Sequence, residues 1–219
     1  IRTTIDIPAT FDPTLSSSLP DFLLARTSYD TLVRRDAGGL VPGLATKWES
    51  TPTEATFTIR TDATCADGTK ITPSVVKNSL DYFARPASGS TQVVYTFGPG
   101  NTAPKITADD AAGTVTVAVD TPWPYLVDAM SVASSGIICP AGLTDSQKLA
   151  QGTATGGESG PYTLTSAEPG VRYEFPLRDD YTAWPDWSTD ISGTPAKKLV
   201  YSVSPDSTAT ANLVLGGQL

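Results

Sequence analysis

The chain has 219 residues, enough to bury a sizeable core and to form one or two domains. Its 39% hydrophobic and 17% charged residues fit a globular chain that is neither disordered nor membrane-spanning; the longest apolar-leaning run, around Ser131 to Leu143, is broken by serines, Gly136 and Pro140. A net charge of −8 without clustered Lys or Arg excludes a nucleic-acid surface and reads as solubility.

Ile1 to Ile7 alternates around Asp6 and predicts a strand with one buried face. No signal peptide is visible ahead of it, which is what a secreted protein would show after processing. Phe11-Asp12-Pro13 turns the chain, and Ser16-Ser17-Ser18 is a small polar loop. A helix is predicted over Pro20 to Arg35. Asp21 sits at its positive end, and Phe22, Ala25, Tyr29 and Leu32 form an apolar stripe. Arg34 and Arg35 close its negative end before Gly38-Gly39.

Leu40 to Val76 organises the rest. It reads as a loop, a tight Pro42-Gly43 turn, a short apolar turn ending at Trp48, a strand over Thr53 to Arg60, and a turn at Asp67-Gly68. A helix follows with Thr72 as N-cap, Pro73 at its first position, and Val76, Leu80 and Phe83 on one face. Ala87 to Pro104 is a long Gly, Ser, Thr and Pro-rich loop, a length that points to function. Next come a hairpin over Ile106 to Asp120, a short helix over Pro122 to Met130, and another over Asp145 to Ala150. The Gly152 to Gly160 tract is the predicted internal boundary. Strands at Tyr162 to Thr165 and Val171 to Leu177 flank the Glu168-Pro169-Gly170 turn. A strand over Lys198 to Val203 precedes a last helix, capped by Asp206 and ended by Leu215-Gly216-Gly217.

Nothing in the residues calls for an enzyme, a metal or a cofactor. With no histidine, a Ser-His-Asp triad, a Cys-His pair and His-ligated metal are excluded. Asp179, Asp180, Asp186 and Asp190 lack the spacing of a calcium loop and read as solvated charges. Gly152 to Gly160 lacks the Lys-Ser/Thr of a phosphate loop. Trp48 and Trp123 read as structural, whereas Trp184 and Trp187 fit either a core or a cleft. Cys65 and Cys139 match no metal or redox spacing; they are two buried thiols or, in a secreted chain, one long-range disulfide.

Several short motifs, in order, resemble the extracytoplasmic solute-binding proteins of peptide-type ABC importers (family 5). Phe11-Asp12-Pro13 is similar to an early L-D-P segment, Tyr29-Asp30-Thr31-Leu32 to Y-D-x-L, and Val41 to Glu49 to P-x-L-A-x-x-W. Phe57-Thr58-Ile59-Arg60, Asp67-Gly68-Thr69 and Val75-Val76 resemble the run that follows. Ser159-Gly160-Pro161-Tyr162 resembles G-T-G-P-Y, and Asp206 to Gly217 the helix after it. Three departures stand out: Cys65-Ala66 before the Asp-Gly turn; Pro73-Ser74-Val75 in place of an acidic helix start, which forfeits about 0.3–1 kcal/mol of dipole contact; and an end at Gln218-Leu219, one residue before the usual aspartate.

The resemblance implies a mixed α/β first lobe of a two-lobe periplasmic-binding-protein-like fold. Residues 1–48 with 157–219 would make one subdomain and 49–156 an inserted one, with the second lobe absent. It implies non-catalytic capture of an oligopeptide or dipeptide, delivered to the membrane permease of an ABC importer, in an extracytoplasmic and lipid-anchored setting. A non-peptide solute such as an oligosaccharide is the alternative, with a secreted hydrolase behind it. Ligand contacts are expected at Ser17, Ser18, Leu19, Ser90 and Tyr95, the last two from a Ser88 to Tyr95 segment. A Cys65–Cys139 disulfide is expected, as is self-association through a face lacking its other lobe.

Overall fold

The structure, a computed structural model, describes residues 1–86, 89–100, 102–185, 193–204 and 206–217, without the side chain of Ser207. Expectations touching Ser88, Asp186, Trp187, Asp190, Gln218 and Leu219 lie outside the described residues. The elements in chain order are β1 (Arg2–Ile5), α1 (Leu19–Ser28), β2 (Val33–Asp36), β3 (Gly39–Pro42), β4 (Ala45–Thr51), β5 (Glu54–Ile59), α2 (Pro73–Ala84) and α3 (Gln92–Phe97). They continue with β6 (Lys105–Asp109), β7 (Thr114–Ala118), α4 (Leu126–Ala129), α5 (Ser146–Gln151), β8 (Ser166–Glu168), β9 (Arg172–Pro176), β10 (Lys198–Val203) and α6 (Ser207–Leu215).

The described residues form two four-stranded sheets and a hairpin. One sheet runs β1-β10-β9-β8, with β1 parallel to β10 and the other pairs antiparallel. The other runs β4-β5-β7-β6 and is antiparallel throughout. In β5 the alternation predicted from sequence holds: Ala55, Phe57 and Ile59 are buried, facing the same way as Val115 and Val117 of β7. Val76, Leu80 and Phe83 of α2 cover them, forming the larger core. A smaller core joins Ile5, Leu24, Tyr173, Phe175 and Tyr201.

The start of α2 shows how a local deficit is met from elsewhere. Thr72 Oγ1 accepts from Val75 N (3.4 Å). The acid that Pro73-Ser74-Val75 lacks is supplied by Asp110, from the β6–β7 turn, whose carboxylate accepts from Ser74 N (2.8 Å) and Ser74 Oγ (2.7 Å).

Four local readings are corrected. The first helix ends at Ser28, not Arg35, with Tyr29 as its C-cap. The carbonyls a longer helix would use are taken by a distant segment: Leu44 N donates to Thr31 O (3.0 Å), while Gly43 N and Ala45 N donate to Leu32 O (3.2 and 2.8 Å). Val33 then starts a strand paired with β3. Only glycine fits at 43, since a Cβ there would lie 2.5 Å from Thr31 O. Second, Trp48 stands in β4, where it pairs opposite Phe57 and packs on the core. Third, the long loop contains α3 and the Pro122 helix shrinks to α4. Fourth, Tyr162 makes a single bridge to Leu177, and the strand begins only at Ser166.

Cys65 and Cys139 are joined (S–S 2.05 Å), tying the segment after β5 to the one after α4. Beside them Arg178 donates to Cys65 O (2.8 Å), Thr64 O (2.9 Å) and Gly160 O (3.3 Å), and pairs with Asp180 at 3.0 Å. Asp180 is therefore engaged in structure rather than in a carboxylate cluster.

Candidate functional site

The end of α1 creates the floor of an open cavity. Because the chain leaves the helix at Tyr29, Asp30 turns inward and is fully enclosed with Arg34 of β2, 2.5 Å away. Tyr181 Oη donates to Asp30 Oδ2 (2.7 Å), with Ala183 O also within 3.0 Å. Asp30 N donates to Ser159 Oγ (2.9 Å), which holds this corner against the Ser159-Gly160-Pro161 motif. Burial pushes the Asp30 carboxyl above its ordinary range, opposed by Arg34, Tyr181 and Arg60. The Tyr181 hydroxyl is driven far up by burial and then by Asp30, so it stays protonated as a donor.

Above this floor lies an open cavity of about 790 Å3. Its walls are aromatic: Tyr95 of α3, Trp123 and Tyr125 ahead of α4, and Tyr181 and Trp184. Trp123 meets Tyr125 edge-on at 5.4 Å, and Tyr181 meets Trp184 edge-on at 4.8 Å. Gly98 lets the indole of Trp123 lie against the backbone, since a Cβ at 98 would approach it to 2.9 Å. Tyr95 and Tyr125 are 68% and 61% exposed, so large apolar rings face an open space instead of a core. The rim carries an Arg35–Asp128 ion pair and Arg26 of α1. Burial, then Arg34, bring the Arg26 guanidinium down to about 10, with Asp30 opposing, so it remains cationic at neutral pH.

Two smaller grooves, of about 410 and 480 Å3, follow this cavity along α1. Arg26 and Val132 line both the cavity and the first groove; Leu23 lines the first groove and the second, where Leu19 sits.

The residues singled out from the sequence fall in three places. Tyr95 stands on the cavity wall. Ser17 and Ser18 lie at the start of α1, where both backbone N–H groups donate to Asp21 Oδ2 at 3.1 Å, and Leu19 is 71% exposed in the far groove. Ser90 Oγ donates to Thr14 O (2.6 Å), anchoring the segment before α3. Sequence reasoning missed Arg26, Asp30, Arg34, Tyr125 and Tyr181 as lining residues; Trp123, read as structural, does pack on the larger core and also lines the cavity. The only signal available was Tyr125 and Trp184, large aromatics in segments rich in proline. Among the described residues no group of three or more His, Cys, Asp or Glu is placed to hold a metal, and no helix is long and apolar enough to cross a membrane.

A lobe built this way, a mixed α/β unit with an open aromatic cavity on one side, is the half-clamshell of periplasmic-type binding proteins. Residues 39–219 match the bacterial extracellular solute-binding proteins, family 5 (middle), and the chain belongs to that family. It is 53% identical to a substrate binding protein from Microbacterium hydrocarbonoxydans crystallised with 4-hydroxybenzoate hydrazide, with a TM-score of 0.96 over 100% of this chain and 45% of that one. It is 30% identical over 179 residues to the probable D,D-dipeptide-binding periplasmic protein DdpA of Escherichia coli K12, covering 74% of this chain and 32% of that protein. To the periplasmic murein peptide-binding protein MppA of the same organism it is 39% identical over 74 residues, 33% of this chain and 14% of that protein. The unliganded open form of MppA shares the fold, with a TM-score of 0.80 at 21% identity. The chain thus spans less than half the length of these two-lobe relatives.

Proposed function

We propose that this chain is the ligand-receiving lobe of a non-catalytic, extracytoplasmic solute-binding protein serving an ABC importer, and that its solute carries a flat aromatic group. The carrying observation is the ring of Tyr95, Trp123, Tyr125, Tyr181 and Trp184 around about 790 Å3, a size and lining typical of small-molecule sites. The 53% identical relative crystallised with 4-hydroxybenzoate hydrazide supports this reading. Capture would proceed by closure of a second lobe over these rings, removing their exposed faces from water. A division into residues 1–48 with 157–219 and an inserted 49–156 belongs to the same reading. Its support is that one four-stranded sheet draws on both chain ends and the other only on 45–118. Lipid anchoring is carried by the family resemblance alone.

A peptide is the second reading, favoured by the similarity to DdpA and MppA and by the run of grooves leading from the cavity to Leu19. There Leu19 and its neighbours Ser17 and Ser18 would meet the far end of a longer solute. Titration of the complete protein, followed by tryptophan fluorescence and calorimetry, separates the two. Saturable binding of 4-hydroxybenzoate hydrazide, weakened at least tenfold by Trp184→Ala or Tyr125→Ala, is expected; tenfold corresponds to about 1.4 kcal/mol. Tight binding of dipeptides or tripeptides with none of the hydrazide would replace the aromatic reading by the peptide one.

A further inference from the structure

Among the described residues the cavity wall carries three arginines and two aspartates, and their ion pairs leave one arginine over. Arg34 is paired with Asp30 beneath the floor, and Arg35 with Asp128 at the rim. Arg26 forms no ion pair among the described residues. Its Nη2 donates to Ser131 O (3.0 Å), which fixes the guanidinium on the ridge between the cavity and the adjoining groove. The described lining therefore bears a single surplus positive charge, in a chain whose net charge is −8.

A neutral solute closing over this ridge would strip water from Arg26 and leave an unpaired cation against apolar rings, a costly arrangement. An oxyanion on the solute removes that cost, since the free edge of a guanidinium offers paired donors matched to a carboxylate. Arg34 cannot serve, because its side chain is enclosed and committed to Asp30. We propose that the solute of this cavity bears an acidic group beside its aromatic part, and that Arg26 is the specificity-determining residue that receives it. The inference rests on the aromatic reading above and adds the charge of the ligand and the residue that selects it.

The test is a pair of probes differing only in charge, 4-hydroxybenzoate and 4-hydroxybenzamide, titrated into the complete protein and into Arg26→Gln and Arg26→Lys. The wild type is expected to bind the acid at least tenfold more tightly than the amide. Arg26→Gln should bring the two within about threefold by weakening the acid alone, a loss of the roughly 1.4 kcal/mol that tenfold represents, and Arg26→Lys should restore part of the preference. Equal affinity of the two probes in the wild type, an undiminished preference in Arg26→Gln, or equal weakening of both probes each overturns the assignment, and the last marks Arg26 as a packing residue. Binding of 4-hydroxybenzoate hydrazide without either probe overturns it while leaving the aromatic reading in place. Failure of all three removes both.

Discussion

Replacing Arg34 by methionine isolates the charge economy under the cavity floor. The guanidinium fills a site with 8% of its side chain exposed, 2.5 Å from a carboxylate that is 4% exposed. Methionine approximates its stem and removes the charge. Breaking a buried pair from one side costs about 3–5 kcal/mol, because the remaining ion is left without a partner. Here the remaining ion titrates. Burial already raises Asp30, and losing Arg34, the largest opposing influence, raises it further. A carboxyl with a raised folded-state pKa binds more protons folded than unfolded, so its contribution falls as pH rises from the unfolded value toward the folded one. Below the unfolded value, near 3.8, Asp30 is neutral in wild type and variant, so the variant carries no unpaired carboxylate there and its disadvantage should be smallest. Above the wild-type pKa the gap opens by up to about 1.36 kcal/mol per pH unit, until the variant's own pKa is passed. Urea denaturation from about pH 4 to about pH 8 should show the difference growing to about 3 kcal/mol or more, a midpoint shift of roughly 1.5 M for a slope of about 2 kcal/mol/M. Arg34→Met with Asp30→Asn, which has nothing left to titrate there, should lose this pH dependence. A cost independent of pH, or one largest in acid, would refute the account.

Two further outcomes follow from packing and topology. Unreduced, denatured protein should react with no thiol reagent, and Cys65→Ser with Cys139→Ser should lower stability by about 2–4 kcal/mol; the 74-residue separation sets a chain-entropy ceiling near 4.5 kcal/mol, and two labelled thiols would deny the bridge. Gly43→Ala places a Cβ 2.5 Å from Thr31 O and 3.0 Å from Leu32 O, both fixed backbone, and should cost about 1–3 kcal/mol in thermal unfolding; a neutral result would mean the 31–45 junction is looser than its hydrogen bonds indicate.

Much of the fold was legible because its signals were local. The alternation of β5, the Thr72-Pro73 start of α2, the β6–β7 hairpin and the Asp206 cap of α6 are each written within a few residues, and each stands where periodicity and capping put it. The Pro20 to Arg35 helix failed for a reason no local pattern contains. Tyr29 and Leu32 continue a helical spacing, yet the carbonyls of Thr31 and Leu32 are claimed by residues 43–45, and a strand partner waits in β3. The missing acid at α2 is the same lesson reversed: the sequence window showed a loss, and Asp110, 36 residues away, makes it good.

The site was less legible than the fold, because a cavity is a coincidence of segments. Arg26 looks like one more charge on an amphipathic helix, and only the early end of that helix brings Asp30 and Arg34 beneath it to be paired, leaving Arg26 as the exception. Trp123 and Tyr125 precede a helix of four residues and gain meaning only when Tyr95 and Trp184 face the same space. Ser90 shows the converse: expected at the ligand, it stands just ahead of α3 outside the cavity lining, and its hydroxyl donates to Thr14 O. On the proposal made above, a solute would be selected by the difference between side chains that are satisfied within the lobe and those that are not. Among the described residues lining the cavity, that difference falls on the exposed rings of Tyr95 and Tyr125 and on Arg26, which has no ion pair there.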